Sequence, residues 1–305
     1  LTPIDGSKFG YEEAKHLASR AGFGGTPEEI EILLQLGPEK AVSRFFEESK
    51  NGLKFEHSGI FEEGLDPFPP SRPATTNLAK REGQALGINV KSEGNRRLQP
   101  IVNKFFYWLR ASRLETDRVA YWWANRMLSS PYALQEKMAL FWHGHFATNE
   151  DKVRDYRKML NQIQLFREKG LGSFRKLLKD TAQDPAMLVF LDAGVNTADS
   201  PNENFAREIM ELFTMGVENY SEKDVREAAR AFTGWTVRGT NYYRDETNHD
   251  AGAKEFLSFS GNYDGTDIIE IILSQEQTSE FVAAKIYRYF VNDSISKEGI
   301  KKLGN

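Results

Sequence analysis

The chain has 305 residues, no cysteine and a formal net charge of -4, and its length suffices for one large domain or two smaller ones. The slightly acidic balance argues against a dedicated nucleic-acid-binding protein, because such domains are usually strongly basic. The lack of cysteine excludes disulfides, thiolate catalysis, zinc fingers and iron–sulfur clusters. No apolar run is long enough to predict a transmembrane helix.

The N-terminal stretch predicts short helices that are separated by glycine and proline. Thr26 and Glu29 have the spacing of a capping box, so a helix begins there. Gly37 and Pro38 break that helix, and a further helix covers 41–46.

Residues 51–96 differ from the rest of the chain because prolines and glycines are frequent and apolar side chains are few. This composition predicts an irregular connection rather than a packed element. We therefore expect a single helical domain over 1–305 that contains this connection.

Helical patterns return after the connection and continue almost to the end of the chain. The predicted helices cover 101–109, 119–128, 131–146, 150–169 (half-exposed), 174–182, 201–216, 221–232, 266–274 and 276–291. Strand-like segments with Gly, Asn and Asp between them predict a small β-hairpin region around 235–263. The fold class is mainly α, a multi-helix array or bundle.

The helix over 201–216 places acidic side chains beside an apolar stripe. Asn204, Glu208 and Glu211 fall on one line of the helix, and Glu208 adjoins the stripe. The stripe consists of Phe205, Ile209, Leu212 and Phe213. A carboxylate at the edge of a core needs a partner, which can be an arginine, a histidine, a metal ion or a ligand. Together with Glu203, these acids could serve as a glycosidase-like acid/base pair or could hold the two arginines of the next helix, Arg226 and Arg230.

Two histidines end the helix that begins at 131. His143 and His145 flank a glycine, and Glu136 precedes His143 by two helical turns on the same face. This set fits a divalent metal such as zinc or iron, or acid/base chemistry. The alternative is a pair of interfacial histidines that bond to backbone carbonyls.

The long polar loop within the predicted hairpin region supplies further candidates. His249 and Asp250 are adjacent there, and loops on helical scaffolds often carry function. Trp235 follows a glycine and is a candidate for a ligand-facing aromatic that stacks on a sugar.

Five polar and aromatic motifs occur in order along the chain. They cover 20–24 (Arg-Ala-Gly-Phe-Gly), 141–146 (Phe-Trp-His-Gly-His-Phe), 201–208 (Pro-Asn-Glu-Asn-Phe-Ala-Arg-Glu) with 211–213 (Glu-Leu-Phe), 226–235 (Arg-Glu-Ala-Ala-Arg-Ala-Phe-Thr-Gly-Trp) and 249–250 (His-Asp). Together they resemble the bacterial domain-of-unknown-function family numbered eighteen hundred. The resemblance covers nearly the whole chain, and 51–96 lies outside its motifs.

The resemblance implies a bacterial protein of the periplasm or the cell exterior, and it implies no particular activity. Members of the family usually extend further than Asn305, so the chain is expected to be truncated at its C-terminus. The family's motif positions correspond to His143, His145, Glu203, Asn204, Arg207, Glu208, Glu211, Trp235, His249 and Asp250.

Two functions fit these residues. The first is an exported hydrolase or lyase that acts on a polysaccharide or cell-envelope polymer. Its candidate catalytic residues are Glu203, Glu208, His143, His145, His249 and Asp250, and its candidate ligand-binding residues are Asn204, Arg207, Glu211, Arg230 and Trp235. The second is a non-catalytic binding or scaffold protein of the envelope, in which the same Glu, Arg and His side chains form a structural network. In either version we expect Glu208 to pair with an arginine or histidine of the set, with His143 or His145 no more than one water away.

Overall fold

The computed structural model describes residues 3–47, residue 55 and residues 99–304, with the backbone alone for 99–109. Apart from residue 55, the predicted irregular connection at 51–96 lies outside the described residues. The described residues form thirteen α-helices and two small antiparallel sheets, as predicted for a mainly α fold. The helices are α1 Tyr11–Ala21, α2 Pro27–Phe45, α3 Gln99–Ser129, α4 Ala133–Phe146, α5 Glu150–Val153, α6 Tyr156–Lys169, α7 Phe174–Ala182, α8 Pro185–Phe190, α9 Asn204–Glu211, α10 Glu222–Ala231, α11 Gly265–Leu273, α12 Glu276–Phe290 and α13 Lys297–Gly304. Among these residues, the helices lack the uninterrupted apolar length that a membrane span requires.

Helices α1 and α2 form a pair with a small core of its own. Thr26 and Glu29 make the predicted capping box at the start of α2. Gly37 has a φ of 72° and breaks α2 where the sequence predicts a break, since glycine adopts this left-handed conformation most easily. The core of the pair consists of Ala14, Ala18, Ile30, Leu33 and Ala41.

Helix α3 is one continuous helix of 31 residues. The prediction of two helices, over 101–109 and 119–128, is therefore wrong about the gap between them. The intervening residues contain neither glycine nor proline, so nothing in the local chemistry ends the first helix.

The segment predicted as one half-exposed helix over 150–169 is instead the short helix α5 and the buried helix α6. Arg154 takes a left-handed φ of 54° and separates the two. Lys158 and Asp155 are both fully buried and lie 3.0 Å apart between Nζ and Oδ2. Charged residues of α6 can be buried because opposite charges pair with each other. A prediction of exposure from the polar composition of the segment is therefore wrong here.

The main core lies among α3, α4 and α6 to α12. Three of its phenylalanine rings contact one another: Phe146 stacks on Phe166 with centroids 5.6 Å apart and meets Phe213 edge-to-face with centroids 5.2 Å apart. Two elements that the sequence analysis missed complete the array, α8 and α13. The start of α8 carried a readable signal, because Asp184 caps it and a proline follows at the first helical position.

A buried ion pair joins three helices of the main core. Glu136 of α4 is fully buried, and its carboxylate accepts hydrogen bonds from Arg167 Nε of α6 at 2.8 and 3.0 Å. The same carboxylate accepts from Trp123 Nε1 at 3.3 Å and from Arg126 Nη2 at 3.4 Å, both on α3. Glu136 is thus the common acceptor through which α3, α4 and α6 hold one another.

Two β-hairpins occupy the region around 235–263, where the sequence predicts one. The first pairs β1 Trp235–Arg238 with β2 Asn241–Arg244, and the second pairs β3 Lys254–Phe256 with β4 Phe259–Gly261. Helix α10 packs on β3 and satisfies its free backbone donors. Asp224 accepts from Leu257 N at 2.8 Å, and Glu227 accepts from Glu255 N at 3.0 Å.

We predict that Glu136→Gln lowers the free energy of unfolding by about 3–5 kcal/mol, because it leaves the buried Arg167 guanidinium without its counter-charge. Urea denaturation followed by circular dichroism measures the loss. Glu12→Gln is the matched control, since Glu12 pairs with Lys15 at 3.4 Å on an exposed surface and should change the same quantity by less than about 0.5 kcal/mol. Equal effects of the two changes would contradict the assigned role of Glu136.

Candidate functional site

The candidate site residues do not form one polar centre. They divide among an exposed arginine cluster on α9, a second arginine cluster on α10, a buried histidine on α4 and a lone carboxylate on α9. Among the described residues, no hydrogen bond or ion pair joins one of these groups to another.

The first cluster, which we call the Arg207 cluster, consists of Glu203, Arg207 and Glu222. Arg207 donates to both carboxylate oxygens of Glu222 at 2.8 Å and to Glu203 Oε2 at 3.0 Å. These bonds raise the pKa of Arg207 and lower that of Glu222. The cluster ties the start of α9 to the start of α10 and engages both terminal nitrogens of Arg207.

The second cluster, which we call the Arg230 cluster, joins α10 to the loop after β2. Arg230 Nε donates to Asp250 Oδ2 at 2.8 Å, and Arg230 Nη1 donates to Glu227 at 2.9 and 3.0 Å. The hydrogen bond from Arg230 lowers the pKa of Asp250. Lys254 is buried and donates to the backbone carbonyls of Asp250 and Gly252 at 2.5 and 2.8 Å. The cluster is therefore a network of satisfied charges.

His249 lies next to this cluster and bonds to the end of α10. Its Nδ1 is 3.0 Å from the carbonyl oxygen of Thr233, which selects the tautomer with the proton on Nδ1. The hydroxyl of Thr233 accepts from the backbone N–H of Asp250 at 2.8 Å. The His-Asp pair thus fixes the loop against α10.

Trp235 lies in the main core and is only 1% exposed. Its ring packs edge-to-face against Phe232 at 5.0 Å and Tyr242 at 5.3 Å between centroids. A Cβ at Gly265 would lie 2.5 Å from the ring, so the ring leaves no room even for alanine at position 265. Protein atoms cover the ring, so its observed contacts are those of a core side chain rather than those of a ligand-facing aromatic.

His145 is an interfacial histidine that bonds to a backbone carbonyl. Its Nε2 donates to the carbonyl oxygen of Phe213, which follows α9, at 3.0 Å. Burial, together with the nearby charge of Lys285, lowers its pKa to about 3, against an opposing effect of the bond to Phe213. The imidazole is neutral at physiological pH and connects α4 to the end of α9. This agrees with the interpretation of an interfacial histidine that bonds to a backbone carbonyl.

The surroundings of His143 differ from those of His145. Its ring stands edge-on to Trp123 with centroids 5.6 Å apart, and burial lowers its pKa. Glu136, the third member of the predicted ligand set, is held by Arg167. In the described part of the chain, no three His, Cys, Asp or Glu side chains are grouped so that they could hold a metal ion.

Glu208 is the exception among the candidate acids. Among the described residues it makes no ion pair, so the expected pairing with an arginine or histidine is wrong. Burial raises its pKa, and the charge of Glu211 raises it further. Glu211 accepts a hydrogen bond from the hydroxyl of Tyr220 at 3.0 Å and holds neither Arg226 nor Arg230. Leu212 is 45% exposed and does not belong to the apolar stripe.

Asparagines around the start of α9 have structural roles, one of which the sequence analysis missed. Asn204 Nδ2 donates to the carbonyl oxygen of Leu191 at 3.0 Å. The buried Asn196 donates to the carbonyl of Ala229 at 2.8 Å and accepts from the N–H of Asn202 at 2.9 Å. A buried asparagine before a helix start carries no sequence signal that separates it from an exposed turn residue.

An apolar groove of about 560 Å³ lies between α1, α2, α4 and α12. None of the predicted site residues lines it. The sequence does not predict this groove, because its walls come from helices that are far apart in the chain.

Comparison with known proteins identifies the family and adds no characterised relative. A family model described as "Protein of unknown function (DUF1800)" matches residues 16–305, and this agrees with the resemblance seen in the motifs. No curated protein and no solved structure matches the chain. Since the match covers nearly the whole chain, the protein belongs to the DUF1800 family.

Proposed function

We propose that the protein is a non-catalytic binding or scaffold protein of the bacterial cell envelope, and that its polar motifs hold the helices together. The observation that carries the proposal is the Arg230 cluster. Arg230 donates hydrogen bonds to Glu227 and Asp250, and these bonds hold the loop after β2 against α10. All three guanidinium nitrogens of Arg230 thus bond to groups of its own chain.

The other motif residues support the same function. Arg207 is engaged by two carboxylates of its own chain, His145 by a backbone carbonyl and Trp235 by its aromatic neighbours. An active site needs groups that are held ready but free to contact a substrate. The envelope location rests on the family resemblance and on the absence of cysteine.

We predict that Arg230→Met lowers the free energy of unfolding by about 1–3 kcal/mol, because Glu227 and Asp250 lose their charged donor. Thermal or urea denaturation measures this loss. Arg226→Met is the matched control, since Arg226 lies one turn earlier on the same helix, is exposed and should tolerate the change within about 0.5 kcal/mol. A folded, fully stable Arg230→Met protein would overturn the structural role.

We predict that acid destabilises the protein partly through His145. The folded pKa of about 3 lies below the ordinary 6.5, so the unfolded chain binds the proton first. The stability is therefore complete above pH 6.5 and declines as the pH falls toward 3. His145→Gln removes this titration. The stability difference between wild type and His145→Gln should shrink by up to about 1.4 kcal/mol per pH unit on acidification. Parallel stability curves from pH 7 to 4 would contradict a buried, neutral His145.

A second candidate function is supported by Glu208. Glu208 is half-buried without an ion pair among the described residues, and its raised pKa favours the acid form. Glu211, one helical turn away, instead accepts a hydrogen bond from Tyr220. Two carboxyl groups in unlike environments are the pattern of a glycosidase acid/base pair. In this version Glu208 is the general acid of a hydrolase or lyase that acts on an envelope polysaccharide.

We predict that Glu208→Gln leaves the stability within about 0.5 kcal/mol of wild type, because Glu208 has no ion pair to lose. The decisive measurement is the release of reducing ends from purified peptidoglycan and other envelope glycans. The binding function predicts no release by either protein. Release by wild type that Glu208→Gln abolishes would replace the proposed function with the hydrolase.

A further inference from the structure

The apolar groove between α1, α2, α4 and α12 continues into a second lobe. The first lobe has a volume of about 560 Å³ and the second about 520 Å³. Both lobes are lined by Leu17, Arg20, Val42, Phe290 and Val291, so they adjoin along this shared wall. Volumes of this size are typical of small-molecule sites.

Apolar side chains at the edge of the groove are unusually exposed. Phe46 is 62% exposed, Val291 53%, Ile4 45% and Val42 42%. Single exposed apolar residues are common, but a contiguous set that surrounds a groove marks a binding surface. An apolar ligand could therefore contact apolar side chains both inside the groove and at its edge.

One cation stands on the wall that the two lobes share. Arg20 Nε donates to the carbonyl oxygen of Phe290 at 2.7 Å. Among the described residues, Arg20 has no carboxylate partner, and its two terminal nitrogens make no hydrogen bond. A guanidinium in this state presents a fork of donors that fits a carboxylate or phosphate.

The surroundings of Arg20 do not neutralise it. Lys137 donates to the carbonyl oxygens of Ser19 and Gly22 at 2.6 and 2.5 Å, and its pKa is lowered by burial and by the charge of Arg20. Two cations thus act on each other here. Two acids also line the second lobe, and neither bonds to Arg20: Glu13 accepts from the N–H of Gly10 at 3.0 Å, and Glu12 pairs with Lys15.

We propose that the groove binds a single-chain amphiphile with an anionic head group. The aliphatic chain occupies the apolar lobes, and the carboxylate or phosphate of the head pairs with the terminal nitrogens of Arg20. The proposal rests on the proposed binding function and names its ligand class. It uses no residue of the Arg207 or Arg230 clusters, so the two proposals can fail separately.

The test compares four probes that share one chain and differ in the head group. They are dodecanoate, dodecyl phosphate, dodecanol and dodecyltrimethylammonium, each used below its micelle concentration. Isothermal titration calorimetry measures binding, and tryptophan fluorescence reports on Trp142, which lines the first lobe. We expect saturable 1:1 binding of at least one anionic probe, weaker binding of dodecanol and none of the cationic probe. The carboxylate and phosphate arms tell which head group is preferred.

Two variants locate the site. Arg20→Met should weaken the anionic probe by about tenfold or more and leave dodecanol nearly unchanged. Val42→Trp should block the lobes for all probes, and it is safe for the fold because Val42 is exposed at the rim. Arg226→Met, at an exposed position on α10 that lines neither lobe, is the control and should bind like wild type. Circular dichroism verifies that each variant is folded.

The proposal is overturned if no probe binds, if the cationic probe binds as tightly as the anionic ones, or if neither Arg20→Met nor Val42→Trp alters binding. If no probe binds while Arg230→Met is destabilised as expected, the groove inference alone has failed. If the probes bind but envelope glycans are cleaved, the proposed function has failed and the groove remains.

Discussion

The pairing of buried charges is the constraint on which this fold depends. Glu136 is completely buried at the meeting point of three helices, and the bonds from Arg167, Arg126 and Trp123 make that position tolerable. Asp155 and Lys158 repeat the arrangement at the other end of α6. Between them, Gln162 donates to the buried Asp184 at 2.7 Å, and burial raises the pKa of Asp184 to about 7. Helix α6 is therefore central to the molecule although its composition is polar.

This constraint separates what the sequence predicts from what it does not. Capping boxes and the break at Gly37 were predictable, because the atoms involved lie within a few residues of each other. The burial of α6 was not predictable, since it depends on Glu136, which stands 31 residues from Arg167. The composition of a polar segment predicts an exposed helix. Burial can be predicted only if the residues that supply the opposite charges are known, and here they come from another part of the chain.

The candidate site shows the same limit in a different form. Polar side chains beside apolar stripes were correctly located in the sequence, but they were expected to meet each other. In the structure Arg230 and Asp250 do pair, but Arg230 also bonds to Glu227 three residues away, and His145 bonds to the carbonyl of Phe213. Glu227 is close in the chain, so the pair costs little chain entropy, and a carbonyl is always available because every residue carries one. Sequence patterns thus identify groups that need partners without identifying the partners.

The groove follows from how the N-terminal helix pair is attached. Phe45 packs against both the small core of α1 and α2 and the main core, so the seam between the cores is apolar. Across that seam, Arg20 and Lys137 donate to the carbonyls of Phe290, Ser19 and Gly22 rather than to carboxylates. Carbonyl acceptors satisfy hydrogen bonds but do not neutralise charge. The attachment of the helix pair therefore leaves a positive charge beside an apolar groove, and an anionic amphiphile is the ligand that complements both.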